Sequence, residues 1–258
     1  MGIPKGMLMH RASPKSCQER RTKLLNWSYY NYAMDMLNAD EHILVGGKSG
    51  SGKSYLIGEL MHTALTKSPS EISFMIADPK RVDMMEYRDL PHVIEYAQQP
   101  QDILKMLNRA CEIMEWRYTQ MEKQRTKSWQ GGKIYVVVDE LLDLMQSKVG
   151  KAIQEKLLSL LCLGRASKVL VISATQSVHR VVLGMLPINF QFTVALQTKS
   201  ATDSRMLIGQ AGAELLPKYG KAIFSNRKGI YIQDILSSPA EDKQDRINWW
   251  LSQKRRRA

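Results

Sequence analysis

One run of eight residues, Gly47-Lys48-Ser49-Gly50-Ser51-Gly52-Lys53-Ser54, narrows what this chain can fold into more than any other stretch. It follows the apolar run Ile43-Leu44-Val45 and leads into a helix-like segment, Tyr55 to Leu65. Gly47, Gly52, Lys53 and Ser54 fill every fixed position of the phosphate-binding P-loop, in the strand–loop–helix context that the motif requires. Glycine tolerates positive φ, so the backbone can turn its N–H groups onto phosphate oxygens, and the helix N-terminus adds partial positive charge. Lys53 can then reach the β- and γ-phosphates, and the Ser54 hydroxyl can ligate Mg2+. A plain Gly/Ser connector is the competing reading, and the flanking strand and helix patterns weigh against it. ATP with Mg2+ is therefore the expected ligand, held by Gly47 through Ser54 and the adjoining Tyr55.

The remaining pattern repeats that local arrangement. Ile72 to Ala77 is a buried strand ending in Asp78-Pro79-Lys80, and a long helix is expected from about Asp102 to Arg125. Its apolar face reads Leu104, Leu107, Cys111, Met114, Tyr118 and Met121. Ile134 to Val138 is a second apolar strand, ending in Asp139-Glu140. A helix over 150–163 leads to a strand Val169–Ile172, closed by Ser173-Ala174-Thr175-Gln176. A strand near Phe190–Leu196, a short helix near Asp203–Ile208 and a hairpin joining Lys221–Ser225 to Ile230–Gln233 complete the core. Wholly apolar strands alternating with helices imply an α/β fold, a mostly parallel sheet covered on both faces. Ligands in such sheets sit at the carboxyl ends of the strands, where Gly47–Ser54, Asp78, Asp139-Glu140 and Thr175-Gln176 all fall.

That convergence assigns chemistry. Asp139, ending an apolar strand, has the position of a Walker B aspartate that holds Mg2+, and Glu140 is placed to deprotonate an attacking water. Gln176 is uncharged at the next strand end; it senses the γ-phosphate or positions water, or else caps a turn. Arg165, in Gly164-Arg165-Ala166-Ser167, is either a solvated surface arginine or the cation that ring ATPases supply across a subunit interface.

The formal net charge of +12 favours a polyanionic partner, nucleic acid before acidic membrane. No apolar run approaches bilayer length, and no signal-peptide h-region opens the chain. Cys17, Cys111 and Cys162 are odd in number and lack metal-ligand spacing, which suits a reduced, cytoplasmic protein. Residues 1–23 read as a basic arm with Lys5, Arg11, Lys15, Arg20, Arg21 and Lys23. A helix carrying Trp27, Tyr30, Met34 and Leu37 follows, so 1–40 is taken as an N-terminal extension, 41–236 as the core domain and 237–258 as a helix with a basic tail.

Several segments together resemble the FtsK/SpoIIIE motor. They are Gly47–Ser54, Ile76-Ala77-Asp78-Pro79-Lys80-Arg81-Val82, Leu90-Pro91-His92, Val138-Asp139-Glu140-Leu141-Leu142-Asp143-Leu144, Ala174-Thr175-Gln176, and Thr202-Asp203-Ser204-Arg205 with Gly209-Gln210-Ala211-Gly212-Ala213-Glu214. The resemblance spans about Glu41–Gln233. It implies a RecA-like core forming a homo-hexameric ring that threads double-stranded DNA and moves it by ATP hydrolysis. By position, Lys53 and Ser54 match the nucleotide and Mg2+ ligands, Asp139 and Glu140 the Walker B pair, Gln176 the sensor, Arg165 the trans-acting arginine finger, and Arg205 a pore-loop contact to DNA. Lys199 and Arg180 are further candidate DNA contacts. Ser177 stands where the family usually has an arginine.

The family's membrane region, linker, extra domain and winged-helix reader have no counterpart in this sequence. The resemblance therefore points to a stripped-down motor for packaging or transferring the DNA of a phage or mobile element. A protein-secretion ATPase and a single-stranded-DNA coupling ATPase of conjugation are the alternative expectations.

Overall fold

The computed structural model describes residues 27–176, 186–235 and 240–257. In chain order the elements are α1 (Trp27–Asn38), β1 (Ile43–Gly46), α2 (Lys53–Ala64), β2 (Ile72–Ala77), β3 (Val93–Ala97), α3 (Pro100–Gln124), β4 (Lys133–Val138) and α4 (Leu141–Met145). They continue with α5 (Gly150–Ser167), β5 (Val169–Thr175), β6 (Phe192–Ala195), α6 (Ala201–Ile208), β7 (Lys221–Asn226), β8 (Gly229–Asp234) and α7 (Ala240–Arg257).

The eight strands form one sheet in the order β3-β2-β4-β5-β1-β6-β7-β8. All pairings from β3 across to β6 are parallel, and β6–β7 and β7–β8 are antiparallel. The expected α/β sheet and its hairpin are thus present. Alternation along β4 shows how two layers arise from an unbroken apolar strand. Val136 and Val138 face a core built with Met106, Met114, Ile153 and Leu157 of α3 and α5. Tyr135 and Val137 face the opposite core, built with Met36, Leu37, Ile57 and Met61 of α1 and α2. The terminal helix α7 covers that second face through Ile247, which is 2% exposed, and through Trp250, whose indole N–H donates to Leu65 O at 2.9 Å.

Three local expectations change. α5 runs to Ser167, not 163. Gly164 is no stop signal: a Cβ there would lie 2.1 Å from Val169 O, so the glycine serves close approach of helix and strand. The helix ends where Lys168 adopts φ 54°, and buried Arg117 caps it by donating to Ser167 O (2.8 Å) and Lys168 O (3.1 Å). β3 and the short α4 add to the expected elements, because Val-Ile-Glu-Tyr-Ala is a half-exposed edge strand with no continuous apolar signal. Finally, the buried face of α3 centres on Ile103, Met106, Leu107, Ala110, Met114, Arg117 and Met121, while Leu104, Cys111 and Tyr118 pack only partly.

Candidate active site

β1 carries the P-loop on its carboxyl end, between the ends of its two neighbours. Gly47 N donates to Thr175 O at 3.3 Å on the β5 side, and Lys48 N donates to Gln197 O at 2.8 Å on the β6 side. Gly50 and Gly52 take φ 72° and 98°, conformations that glycine adopts without strain. No side chain caps the N-terminus of α2 at Gly52, so its leading N–H groups stay available to an anion. Lys53, only 8% exposed, folds back so that Nζ donates to Gly47 O (2.9 Å) and Lys48 O (3.0 Å). Burial lowers its pKa; Glu140 opposes that effect, Lys80 adds to it, and Asp139 and Asp83 oppose it. The loop thus combines free helix N-terminal N–H groups with a buried ammonium, an arrangement that can receive a phosphate.

β2, β4 and β5 bring the remaining groups to the same edge. Their order places β5 between the P-loop strand and β4, so the Thr175-Gln176 end lies beside Asp139-Glu140. Gln176 N donates to Glu140 Oε1 at 3.4 Å. Glu140 is 3% exposed and held at φ 60°, ψ 76°, a left-handed conformation that costs a non-glycine residue about 1–3 kcal/mol. Its other oxygen, Oε2, accepts from Lys80 Nζ at 3.1 Å. Burial works against the Lys80 ammonium, yet the hydrogen bond and charge of Glu140, with Asp139 and Asp143 behind it, carry its pKa upward. Ser54 Oγ donates to Asp83 Oδ2 at 2.7 Å. Asp78, fully buried, is spent internally: Arg81 N donates to Oδ1 (2.8 Å) and Tyr96 OH to Oδ2 (2.6 Å), which pins the turn that presents Lys80 and Asp83.

Asp139 is 3% exposed, and its Oδ2 is buried without a hydrogen-bond partner. Its pKa rises from 3.8 to about 6, chiefly by burial and next through Asp83; Lys80 opposes this, while Asp78 and Glu140 add to it. A buried, partnerless carboxylate oxygen near a Ser/Asp pair is what a hard dication needs, so the residues fit Mg2+, which Ser54 and Asp139 would hold. Together the groups can bind a polyphosphate, neutralise it and activate a water beside it.

The other expected site residues are placed as follows. Tyr55, 44% exposed, engages Glu59, and Lys243 Nζ lies 4.2 Å from its ring centroid. Arg165 lies in the last turn of α5, next to His42, whose imidazole is driven down to about 3 by burial and then by the Arg165 charge. His42 immediately precedes β1, so Arg165 sits at the amino edge of the sheet, on the order of 20 Å from its own P-loop for strands of this length. The structure does not bring Arg165 to the site within one chain. Lys199 and Arg205 are exposed on the segment after β6, at the P-loop edge. Arg180, with Ser177, lies outside the described residues, as do Cys17 and the basic arm. Among the described residues no helix is long and apolar enough to cross a membrane.

Two contacts escaped the motif reading: Lys80 on Glu140 and Asp83 on Ser54. The Asp78-Pro79-Lys80 run at a strand end marks the first in the sequence, and Asp83 lies beyond that run with no motif of its own.

The FtsK/SpoIIIE family model matches residues 9–134. DNA translocase FtsK of Corynebacterium glutamicum is 34% identical over 210 residues, 71% of this chain and 23% of that protein. The chain spans 22–30% of the length of the curated relatives it matches. Among solved structures, the pCW3 conjugation coupling protein TcpA in its monomer form with ATPγS superposes with a TM-score of 0.71 at 18% identity, over 81% of this chain and 65% of that one. ATPases 2 and 3 of EssC from Geobacillus thermodenitrificans give 0.70 at 17% identity, over 83% and 43%. These likenesses concern the fold, which is that of a RecA-like P-loop ATPase.

Proposed function

This chain belongs to the FtsK/SpoIIIE family, and from that premise we propose that it is an ATP-driven translocase of double-stranded DNA, working as a homo-hexameric ring. The observation that carries the reading is the single carboxyl edge on which Lys53, Ser54, Asp139 and Glu140 meet. The P-loop amides and Lys53 orient the triphosphate. Ser54 and Asp139 hold Mg2+, which when bound neutralises phosphate charge. Glu140 takes the proton of the attacking water, and the Gln176 side chain positions that water or senses the γ-phosphate. Arg165, at the opposite edge of its own sheet, serves a neighbour's nucleotide. That assignment requires a ring, because Arg165 stands far from the P-loop of its own subunit.

Coupling to the track is proposed to run through α6. A Cβ on Gly46 would lie 2.3 Å from Leu207 Cδ2, so α6 packs directly on the last residue of the P-loop strand. Arg205 on that helix and Lys199 before it are proposed to grip phosphates, Arg180 being a further proposed contact, in a manner nearly blind to base sequence and weakened by salt. The setting proposed is packaging or transfer of phage or mobile-element DNA.

The test is ATP turnover with and without linear duplex DNA at low salt, followed by imaging with an ATP analogue and duplex. Strong stimulation and rings encircling the duplex are expected. A rate indifferent to duplex DNA refutes the translocase reading; stimulation confined to single strands transfers it to a conjugative coupling ATPase, and stimulation by a secreted polypeptide to a secretion ATPase.

A further inference from the structure

We propose that Lys80 is a positioning residue for the hydrolytic base, keeping the Glu140 carboxylate aimed into the site while a triphosphate occupies the P-loop. The inference rests on reading the site as an ATP hydrolase. Its argument is one of charge. Lys53 presents its ammonium to the loop carbonyls of Gly47 and Lys48, and on binding that charge goes to the β- and γ-phosphates. Ser54 Oγ donates to Asp83, and Asp139 Oδ2 is buried without a hydrogen-bond partner, so neither of these atoms is a partner of Glu140. Asp78 is satisfied by Arg81 N and Tyr96 OH and takes no part. Glu140 is then a buried anion facing a more highly charged anion in a water-poor site, where like charges repel strongly. Left to itself, its carboxylate would swing off the line of attack.

Lys80 is placed to prevent that. Its Nζ is 3.1 Å from Oε2, and Gln176 N approaches Oε1 at 3.4 Å, so the carboxylate is held at both oxygens. The two lysines thereby divide the work: Lys53 for the substrate, Lys80 for the base. Lys80 reaches Glu140 from another strand end, sixty positions earlier in the chain, on a turn stiffened by Pro79 and by Arg81 at φ 61°. Its side chain is 35% exposed, so the aliphatic stem is not a core element. A merely structural lysine, neutralising Glu140 for folding, would lose stability, nucleotide binding and turnover together when removed.

The experiment compares the parent protein with K80A, K80M and K80R. Binding of a fluorescent ATP analogue, steady-state kcat and KM, and thermal melting are measured for each. K80A and K80M should bind the analogue within about threefold of the parent with KM similarly unchanged, while kcat falls at least about tenfold, the signature of a mispositioned base. K80R, which keeps the cation, should recover a third or so of the lost kcat. In an E140Q background, adding K80A should leave the residual rate unchanged, because the two residues act as one unit. A parent that binds nucleotide without turning it over would overturn the hydrolase reading and the role of Lys80 with it. A hydrolysing parent with kcat undiminished in K80A would overturn Lys80 alone. So would a joint loss of binding and turnover, or K80R no better than K80A.

Discussion

Replacing Asp139 by asparagine should make the ligand-free protein more stable while it disables the metal site. The carboxyl ionises near pH 6 in the folded chain against 3.8 for the ordinary group, because burial and Asp83 penalise its charged form. An acid whose folded pKa is raised contributes nothing below the unfolded value, where both states are protonated. The penalty on folding grows as pH rises from about 3.8 to about 6 and is complete above that. The gap corresponds to about 3 kcal/mol at about pH 8, and to about half of that at about pH 5. D139N is close in size and uncharged, so it removes the penalty. Some of the gain is offset because Oδ2 has no partner, and an amide there also lacks one. A net gain of about 1–3 kcal/mol is expected, or about 3–10 °C in melting temperature for a chain of this size. The assay is thermal unfolding in EDTA at both pH values, then with ATP and Mg2+. D139N should melt above the parent at about pH 8, by roughly half that margin at about pH 5, and should lose the parent's stabilisation by the nucleotide with metal. Equal melting temperatures at about pH 8, or a gain independent of pH, would refute the idea that Asp139 stores strain for a cation.

Other perturbations probe the remaining assignments. Lys53→Ala should abolish nucleotide binding, whereas Glu140→Gln should retain it and lose turnover by about a hundredfold or more; normal turnover in E140Q would remove the assigned base. Arg165→Ala should abolish hydrolysis by itself and regain it when mixed with Lys53→Ala subunits, which supply an intact Arg165 to an intact P-loop; no recovery would mark the arginine as structural. Lys243→Ala should lower stability by about 2 kcal/mol, because Lys243 pairs with Glu59, whose side chain is 3% exposed on the P-loop helix; an unchanged melting temperature would show that this ion pair does not help to hold α7.

Some of the site is legible in the sequence because it is local. Gly47, Gly52, Lys53 and Ser54 fill every fixed position of the motif within eight residues, so Gly47–Ser54 could be read directly. Asp139-Glu140 could be placed because an unbroken apolar run must be a buried strand, and its polar end must emerge at an edge. The end of α5 is not legible locally, because only the strand packed against Gly164 shows that this glycine serves close approach within a continuing helix. β3 passed unnoticed because an edge strand with Glu95 in its middle lacks the periodicity that marks a buried one.

By itself, then, the sequence determined an α/β chain that presents a P-loop and a Walker B pair at strand ends, since those features depend on neighbours a few residues away. Tertiary structure alone decided the strand order that puts β5 between them, the grip of Lys80 on Glu140 across sixty positions, the Asp83 contact to Ser54 and the removal of Arg165 to the far edge. The physical reason is that strand pairing and side-chain contact between distant segments follow from burial of the whole sheet, and no local pattern records which strand will lie beside which.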